Sequence, residues 1–557
     1  MSSATPTSRI PRVHRLPLAG VLRVGRPSDI WFKPALSVVV ALAPPNLTLL
    51  AMDRLDLAMY TMAGSLCALY AHNRPYAARA RVLAWVVLGM LGGLAVALVT
   101  ASLTTNAVVL VTVGALLAAV QKVLCDASRL GPPGNVVLTF VSSAALFAPQ
   151  SLGQVPGHLT LGIAAGGWAW LVGMAPGLVR PHGPERRATA QALNAAAAYA
   201  DTRGTGDGHA RARAAAATAV QAAWQSLLSA GDRSTTRRAL RALVVRAEVA
   251  LAAPADTDPA RLRAWGRELR GTGPVPYAGD PDVDELLGVD VELAAPHRPL
   301  RRALASLGPI AARTALGCAL AGYASLALGI GRPYWALVTA AALYQANITL
   351  TWSRGVQRVV GNLAGVLVFA ALTPLAHLGQ AALVLCCLAC SFGAEALISR
   401  NYWLGSVCVT PMALLITECT GFQDPGVLIA ERVVDTFVGA LVGFVAAVAV
   451  TNRSAGARLE HALTAVERAR ERTARLLAEP QPAADALEAA RRALTAALVD
   501  LRATADAASG EWWQRALPQE RVVHAEQAGH RTLAATVRHQ GLLLDRDADR
   551  TTEDARP

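Results

Sequence analysis

The chain has 557 residues, 53% of them hydrophobic and 16% charged, and a net charge of +13; its mean hydropathy is +0.36. At about 150 residues per soluble domain the length alone would give three or four domains. Repeated apolar runs of roughly 16 to 25 residues instead match a hydrocarbon core about 30 Å thick, which excludes an ordinary soluble fold and predicts an all-α, polytopic membrane protein.

The positive charge is not gathered on one basic face: it amounts to +5 in residues 1–33, +3 in 34–179, +4 in 180–303, +1 in 304–451 and 0 in 452–557. That dispersal reads as membrane topology and argues against nucleic acid as a partner. Only Lys33 and Lys122 are lysines; with so much alanine, the arginine excess reflects a GC-rich coding bias and carries little functional weight.

Residues 1–32 form a basic, proline-punctuated amino terminus, expected in the cytoplasm. It does not read as a cleavable signal peptide, because the first long apolar run starts only after Lys33 and another span follows it. Six spans are expected near 33–51, 57–72, 82–100, 106–124, 134–150 and 157–178, making a first membrane repeat over 33–179. Residues 180–303 change character. Ala/Arg-rich stretches with helical spacing lead into "GTGPVPYAGDPDVDELLGVDVE", which punctuates the segment before apolar sequence returns.

Six more spans are expected near 304–330, 333–351, 359–376, 379–398, 401–418 and 427–451, a second repeat over 304–452. Residues 453–557 again read as helices, with apolar positions three and four apart. Connecting-loop charge alternates along all twelve spans. Arg74, Arg79 and Arg81, then Lys122 and Arg129, then Arg354 and Arg358, then Arg400 fall in even-numbered connections. Both termini and residues 180–303 are therefore expected in the cytoplasm of a cell that carries the protein in its plasma membrane.

Placing Arg81 on Arg358 brings a basic turn to the same place in each half. Six spans is an even number, so the repeats are expected to run parallel, with a pathway between them.

The stretch "RPYWALVTAAALYQANITLTWSRGVQRVVGNLAG", residues 332–365, concentrates the candidate chemistry. Arg354 and Arg358 are four apart and share one helix face, and Gly361 and Gly365 form a G-x-x-x-G step that lets a neighbouring helix approach closely. The arginines can attract an anion at the inner mouth or simply anchor the positive-inside topology. In the last span, "ERVVDTFVGALVGF" puts Glu431 and Asp435 on one face with Arg432 between them as the expected partner of Asp435. An ionisable group at that depth is a candidate for gating or coupling, or a structural ion pair near the outer interface. Glu395 and Arg313 lie near inner ends, where snorkelling is easy, and Glu395 joins the coupling candidates.

"RPYWALVTAAALYQ" followed by "RGVQRVVGNLAG" resembles the signature of the fusaric-acid-resistance type of integral membrane transporter, related to bacterial aromatic acid exporters and more remotely similar to plant aluminium-activated malate channels. The strong part of the resemblance covers residues 304–452. It implies export or conduction of organic anions, with Tyr334, Trp335, Arg354, Arg358, Gly361 and Gly365 at the matching positions, and the last span also resembles a family pattern. The first half has Arg79 and Arg81 but neither the Tyr-Trp pair nor the same glycine step.

Other chemistry finds little footing. No "GK[ST]", G-x-S-x-G or H-E-x-x-H occurs, so neither an ATP-driven pump nor an enzyme is expected, and no cofactor is implied. Cys387 and Cys390 have metal-ligand spacing but no second ligand pair near them, and read as buried thiols. His524, His530 and His539 are scattered on a polar helical tail, where no metal site is expected. "EWWQRALP" at 511–518 reads as packing for a cytoplasmic domain.

The expected protein is thus an exporter of small organic anions, plausibly aromatic carboxylates. Arg81, Arg354 and Arg358 would concentrate substrate, Tyr334 and Trp335 would shape the outer end of their span, and Asp435 with Arg432 would gate or couple. A passive anion channel and a membrane scaffold acting through its cytoplasmic helices are the rival expectations. The partners implied are the lipid bilayer and the anion, and the sequence is compatible with a homo-oligomer.

Overall fold

The computed structural model describes residues 30–128, 130–202, 207–229, 234–277, 307–345, 347–450, 455–509 and 518–540, with 16, 18, 20–25 and 27 before them. The stretch beyond residue 277 that punctuates the central segment, and the aromatic pair Trp512 and Trp513, lie outside the described residues. Among the described residues all regular structure is helical.

The first half comprises α1 (Phe32–Ala51), α2 (Leu55–Leu69), α3 (Tyr76–Leu103), α4 (Ala107–Ala127), α5 (Val136–Leu146) and α6 (Val155–Met174). Four polar helices follow: α7 (Gly183–Asp201), α8 (Asp207–Ser229), α9 (Thr235–Ala252) and α10 (Pro259–Glu268). The second half comprises α11 (Gly308–Ala327), α12 (Tyr334–Leu343), α13 (Ile348–Ala376), α14 (Gln380–Ile398), α15 (Tyr402–Glu418) and α16 (Pro425–Ala449). The chain closes with α17 (Ala455–Ala478), α18 (Ala484–Ser509) and α19 (Gln519–His539).

Among the described residues, eight helices are long and apolar enough to cross a membrane: α1, α3, α4, α6, α11, α13, α14 and α16. The runs expected to span at 57–72, 134–150, 333–351 and 401–418 form shorter helices, α2, α5, α12 and α15. At α12 the reason is local. Tyr344 takes an extended conformation that ends the helix, and the Asn347 side chain then accepts from Leu350 N at 2.8 Å to start α13. The helix expected over 359–376 therefore begins at Ile348, and Arg354 and Arg358 sit inside it and not in a connecting turn. Likewise α3 starts at Tyr76, so Arg79 and Arg81 are helical.

Large apolar side chains cover the outside of this bundle; Trp85 is 74% exposed and Leu367 72%. Such a surface is stable against acyl chains and not against water. By contrast, every residue of α12 is buried. At ten residues and 1.5 Å per residue α12 covers only about half a hydrocarbon core, so its open carbonyl end must face protein or a cavity.

Packing crosses between the halves. Helix α1 lies on α14, and α11 lies on α4; within the halves α2 packs on α6 and α12 on α16, while α3 packs on α5 and α13 on α15.

Helices α7–α10 and α17–α19 build a separate domain on one side of the bundle. Trp224, Leu243 and Trp265 share a core with Val537 of α19, and Leu463, Leu494 and Leu533 join α17, α18 and α19. Between the two cores lies a buried charge network. Arg491 donates to both oxygens of Glu488, at 2.7 and 2.8 Å, and is 3.3 Å from Glu248; Glu248 also accepts from Trp224 Nε1 at 3.2 Å and Thr495 Oγ1 at 3.1 Å.

Burial alone would raise the Glu488 carboxyl, but the Arg491 and Arg492 guanidiniums outweigh it and hold the group below its ordinary value. Its contribution to stability is therefore present above pH about 4.3 and is lost as pH falls through the lowered value. Arg491→Ala leaves two carboxylates without their shared cation and is expected to cost about 3 to 5 kcal/mol. The midpoint of thermal unfolding of the purified full-length protein measures this, and an unchanged midpoint would mean that the network does not hold the two sets of helices together.

Candidate functional site

The first turns of α13 carry Arg354 and Arg358, and the Asn401 cap of α15, which accepts from Trp403 N, sets Tyr402 opposite them. Arg358 Nη1 donates to the Tyr402 hydroxyl at 2.9 Å, and the Arg354 guanidinium lies 3.9 Å from the centre of the Tyr402 ring. One tyrosine thus holds both cations, one through its oxygen and one through its face.

Two glycines make that approach feasible. A Cβ on Gly361 would stand 2.6 Å from the Trp403 carbonyl oxygen, and one on Gly365 would stand 2.9 Å from that of Val407. Asn362, between them, ties three helices together: its Nδ2 donates to Thr436 Oγ1 at 3.0 Å and its Oδ1 accepts from Thr410 at 2.9 Å.

Helix α16 starts with Asp424 accepting from Gly426 N at 2.7 Å. Its Gly439 and Gly443 lie against Ala336 and Ala340 of α12; a Cβ on Gly439 would be 2.5 Å from the Ala336 oxygen. This contact carries Arg432 over the Trp335 ring, with the guanidinium 4.1 Å from the ring centre. Arg432 and Trp335 are each 1% exposed.

These residues border a cavity of about 1330 Å³ between the halves. Its wall runs from Arg400, Arg354 and Gln225 of α8 on the side of the polar domain to Trp335 and Arg432 at depth. Arg432 lies seven residues, about 10 Å of helical rise, from the far end of α16, so the cavity passes well beyond the middle of the bundle. Six basic residues line it, namely Arg74, Lys122, Arg354, Arg358, Arg400 and Arg432, against the acids Asp126 and Glu395. Lys122 is already paired with Asp126 at 2.9 Å. The volume exceeds the few hundred to about 1,000 Å³ of a fitted small-molecule pocket, which makes this a positive vestibule.

Beyond Trp335 the far end is closed by polar contacts. Arg332 pairs with Glu431 and donates to Gln423, and His377 Nε2 stands 3.2 Å from Glu418. On the near side, residues 21–25 are strapped across the rim. Asn401 Nδ2 donates to the Val21 and Arg23 oxygens at 3.0 and 3.1 Å, and Trp403 Nε1 to Leu22 O at 3.1 Å.

Residues 319–446 match the family described as Fusaric acid resistance protein-like. The likeness lies within the second half and covers less than half of the chain. The chain is also 31% identical over 137 residues to the uncharacterized membrane protein YvaC of Bacillus subtilis (strain 168), a match that spans 24% of this chain and 22% of that relative's length. No solved structure matches the chain. With eight candidate spans in the fold, the protein is a multi-pass membrane protein.

Within residues 319–446, Trp335, Arg354, Arg358, Glu395 and Arg432 all reach the cavity wall. Tyr334 does not; it is buried behind Trp335, with ring centres 4.9 Å apart, and against Phe147. The pairing expected of Asp435 with Arg432 is not formed. Asp435 Oδ1 accepts from Ser325 of α11 at 2.6 Å, Arg432 turns to Trp335, and Glu431 goes to Arg332. Spacing of three on a helix puts the two groups on adjacent faces, and α11 and α12 then draw them apart. Arg81 is exposed, away from the cavity, whereas its neighbour Arg79 is buried with Nη2 3.1 Å from His72 Nδ1.

Sequence reasoning also passed over several wall residues. The turn at Pro132–Gly134 and the α8 residues Ala222, Gln225 and Ser226 carry no motif that marks them. Sequence reasoning also missed the glycine step in the last helix of each half: "GIAAG" places Gly162 and Gly166 against α2, where a Cβ on Gly64 would stand 2.3 Å from the Gly162 oxygen, as "GALVG" places Gly439 and Gly443 against α12.

Proposed function

We propose that the protein is a secondary exporter of small organic anions, aromatic carboxylates foremost, with twelve membrane crossings arranged as two parallel six-helix repeats. The polar domain and both termini are cytoplasmic and the membrane is the plasma membrane, in keeping with the arginine-rich connections on that side.

The repeat rests on three correspondences. The second and fifth helices are the short ones in each half, the first helix of each half packs on the fourth of the other, and the last carries a G-x-x-x-G step onto the second.

The observation that carries the functional reading is the cavity. It receives basic side chains from both halves, opens toward the polar domain and stops short of the far side at Trp335 and the Arg332–Glu431 pair. A site with that polarity collects anions from one compartment. On this reading Asp435, hydrogen-bonded to Ser325, and Glu395 on the cavity wall couple anion movement to protons, with Glu431 in the outer closure.

Flux of labelled 4-hydroxybenzoate in proteoliposomes, with a proton gradient and a membrane potential imposed separately, tests this. Uphill movement driven by the proton gradient and lost in Asp435→Asn is the expected result. Flux that only follows the electrochemical gradient of the anion would make the protein a channel. No flux of any organic anion, with function abolished by deleting residues 455–557, would make it a scaffold.

A further inference from the structure

We infer that the deep end of the cavity is a binding site for a single aromatic carboxylate, held by the Arg432 guanidinium with Trp335 beneath it. The inference deepens the export reading and takes its purpose from that reading.

Arg432 is 1% exposed, yet its guanidinium makes no hydrogen bond and no ion pair within 4 Å to any described residue; Nε and Nη1 are both buried without a partner. The two acids on its own helix are engaged elsewhere, Asp435 with Ser325 and Glu431 with Arg332. At longer range than an ion pair, Arg358 repels Arg432 and Asp435 attracts it. One cation–π contact, to Trp335, offsets only part of the cost of burying a cation. An anion arriving through the vestibule supplies the missing counter-charge.

The surroundings select its body. Phe140, Trp335, Val338, Val409, Met412 and Ala413 line the cavity, with the Phe140 and Trp335 rings 5.9 Å apart. An apolar wall desolvates a small inorganic oxyanion without compensation, whereas a benzoate-like acid brings a planar carboxylate for the guanidinium fork and a flat apolar ring for the wall. Trp335 fixes the guanidinium from one face, which leaves its edge to the ligand.

Equilibrium binding of labelled 4-hydroxybenzoate to purified full-length protein, by scintillation proximity, tests the site. One molecule per chain is expected, displaced by benzoate but not by neutral benzamide or by inorganic phosphate. Arg432→Gln should weaken binding by about 30-fold or more, as loss of a buried charge-assisted pair does. Arg432→Lys, which keeps the charge but not the fork, should fall between, and Arg81→Gln, exposed and away from the cavity, should leave the affinity within about twofold.

Size-exclusion profiles establish that each variant is folded, and the lysine variant keeps the test informative where the glutamine variant is not. Labelled acid that crosses proteoliposome membranes while its affinity ignores both Arg432 variants would overturn the site and leave the export reading standing. A wild-type protein that neither binds nor moves the acid would overturn both, and equal displacement by phosphate would overturn the aromatic selectivity.

Discussion

Gly361→Val is expected to lower the thermal stability of the detergent-solubilised protein by about 3 kcal/mol or more, the upper range for overpacking a close-packed contact. The reason is the nature of the obstacle. The added Cβ meets the Trp403 carbonyl oxygen at 2.6 Å and the Ser406 Cβ at 2.5 Å, and backbone cannot swing aside as a flexible side chain can. Helix α15 would have to move away from α13 along its length, because Gly365 one turn on has the same problem with Val407 and Thr410. That separation would also pull Asn362 from Thr410 and Tyr402 from both arginines. Gly92→Ala supplies the control: its Cβ would meet nothing within 4 Å, and alanine favours the helix by about 1 kcal/mol over glycine. Equal unfolding midpoints for Gly361→Val and Gly92→Ala would refute the close crossing.

The sequence makes the helical, lipid-exposed character of the two halves legible, because hydropathy over twenty residues depends on composition alone. It does not reveal where a buried helix stops. Residues 344–350, "YQANITL", are apolar enough to continue a span, and only the cap at Asn347 marks the break. Moving that boundary takes Arg354 and Arg358 out of a loop and into a helix facing a cavity. The partners of Asp435 and Arg432 were hidden for a different reason. Ser325 and Trp335 stand about a hundred residues away in the chain, and nothing local in α16 encodes which neighbour each side chain will meet. The glycine step of α13, by contrast, is legible in the sequence and is a close helix crossing, while those of α6 and α16 share its spacing but stand out only once their partners are placed.

Neutralising Arg354 or Arg358 singly is expected to lower the initial rate of anion flux at low substrate by about tenfold, corresponding to about 1.4 kcal/mol of lost electrostatic attraction. Both cations lean on Tyr402, so the double variant should lose less than the product of the single effects. Tyr402→Phe separates their roles, since it removes the hydroxyl that Arg358 Nη1 contacts and keeps the ring beneath Arg354. In that background the Arg358→Gln effect should shrink while the Arg354→Gln effect persists. If these arginines serve only as topological anchors, the outcome differs in kind: flux per inserted molecule would stay unchanged, and protease accessibility would report inverted or failed insertion. The structure favours the first outcome. An anchoring arginine snorkels its head toward the interface, whereas Arg358 is 4% exposed, is hydrogen-bonded to a half-buried tyrosine, and lines the cavity that leads to Arg432.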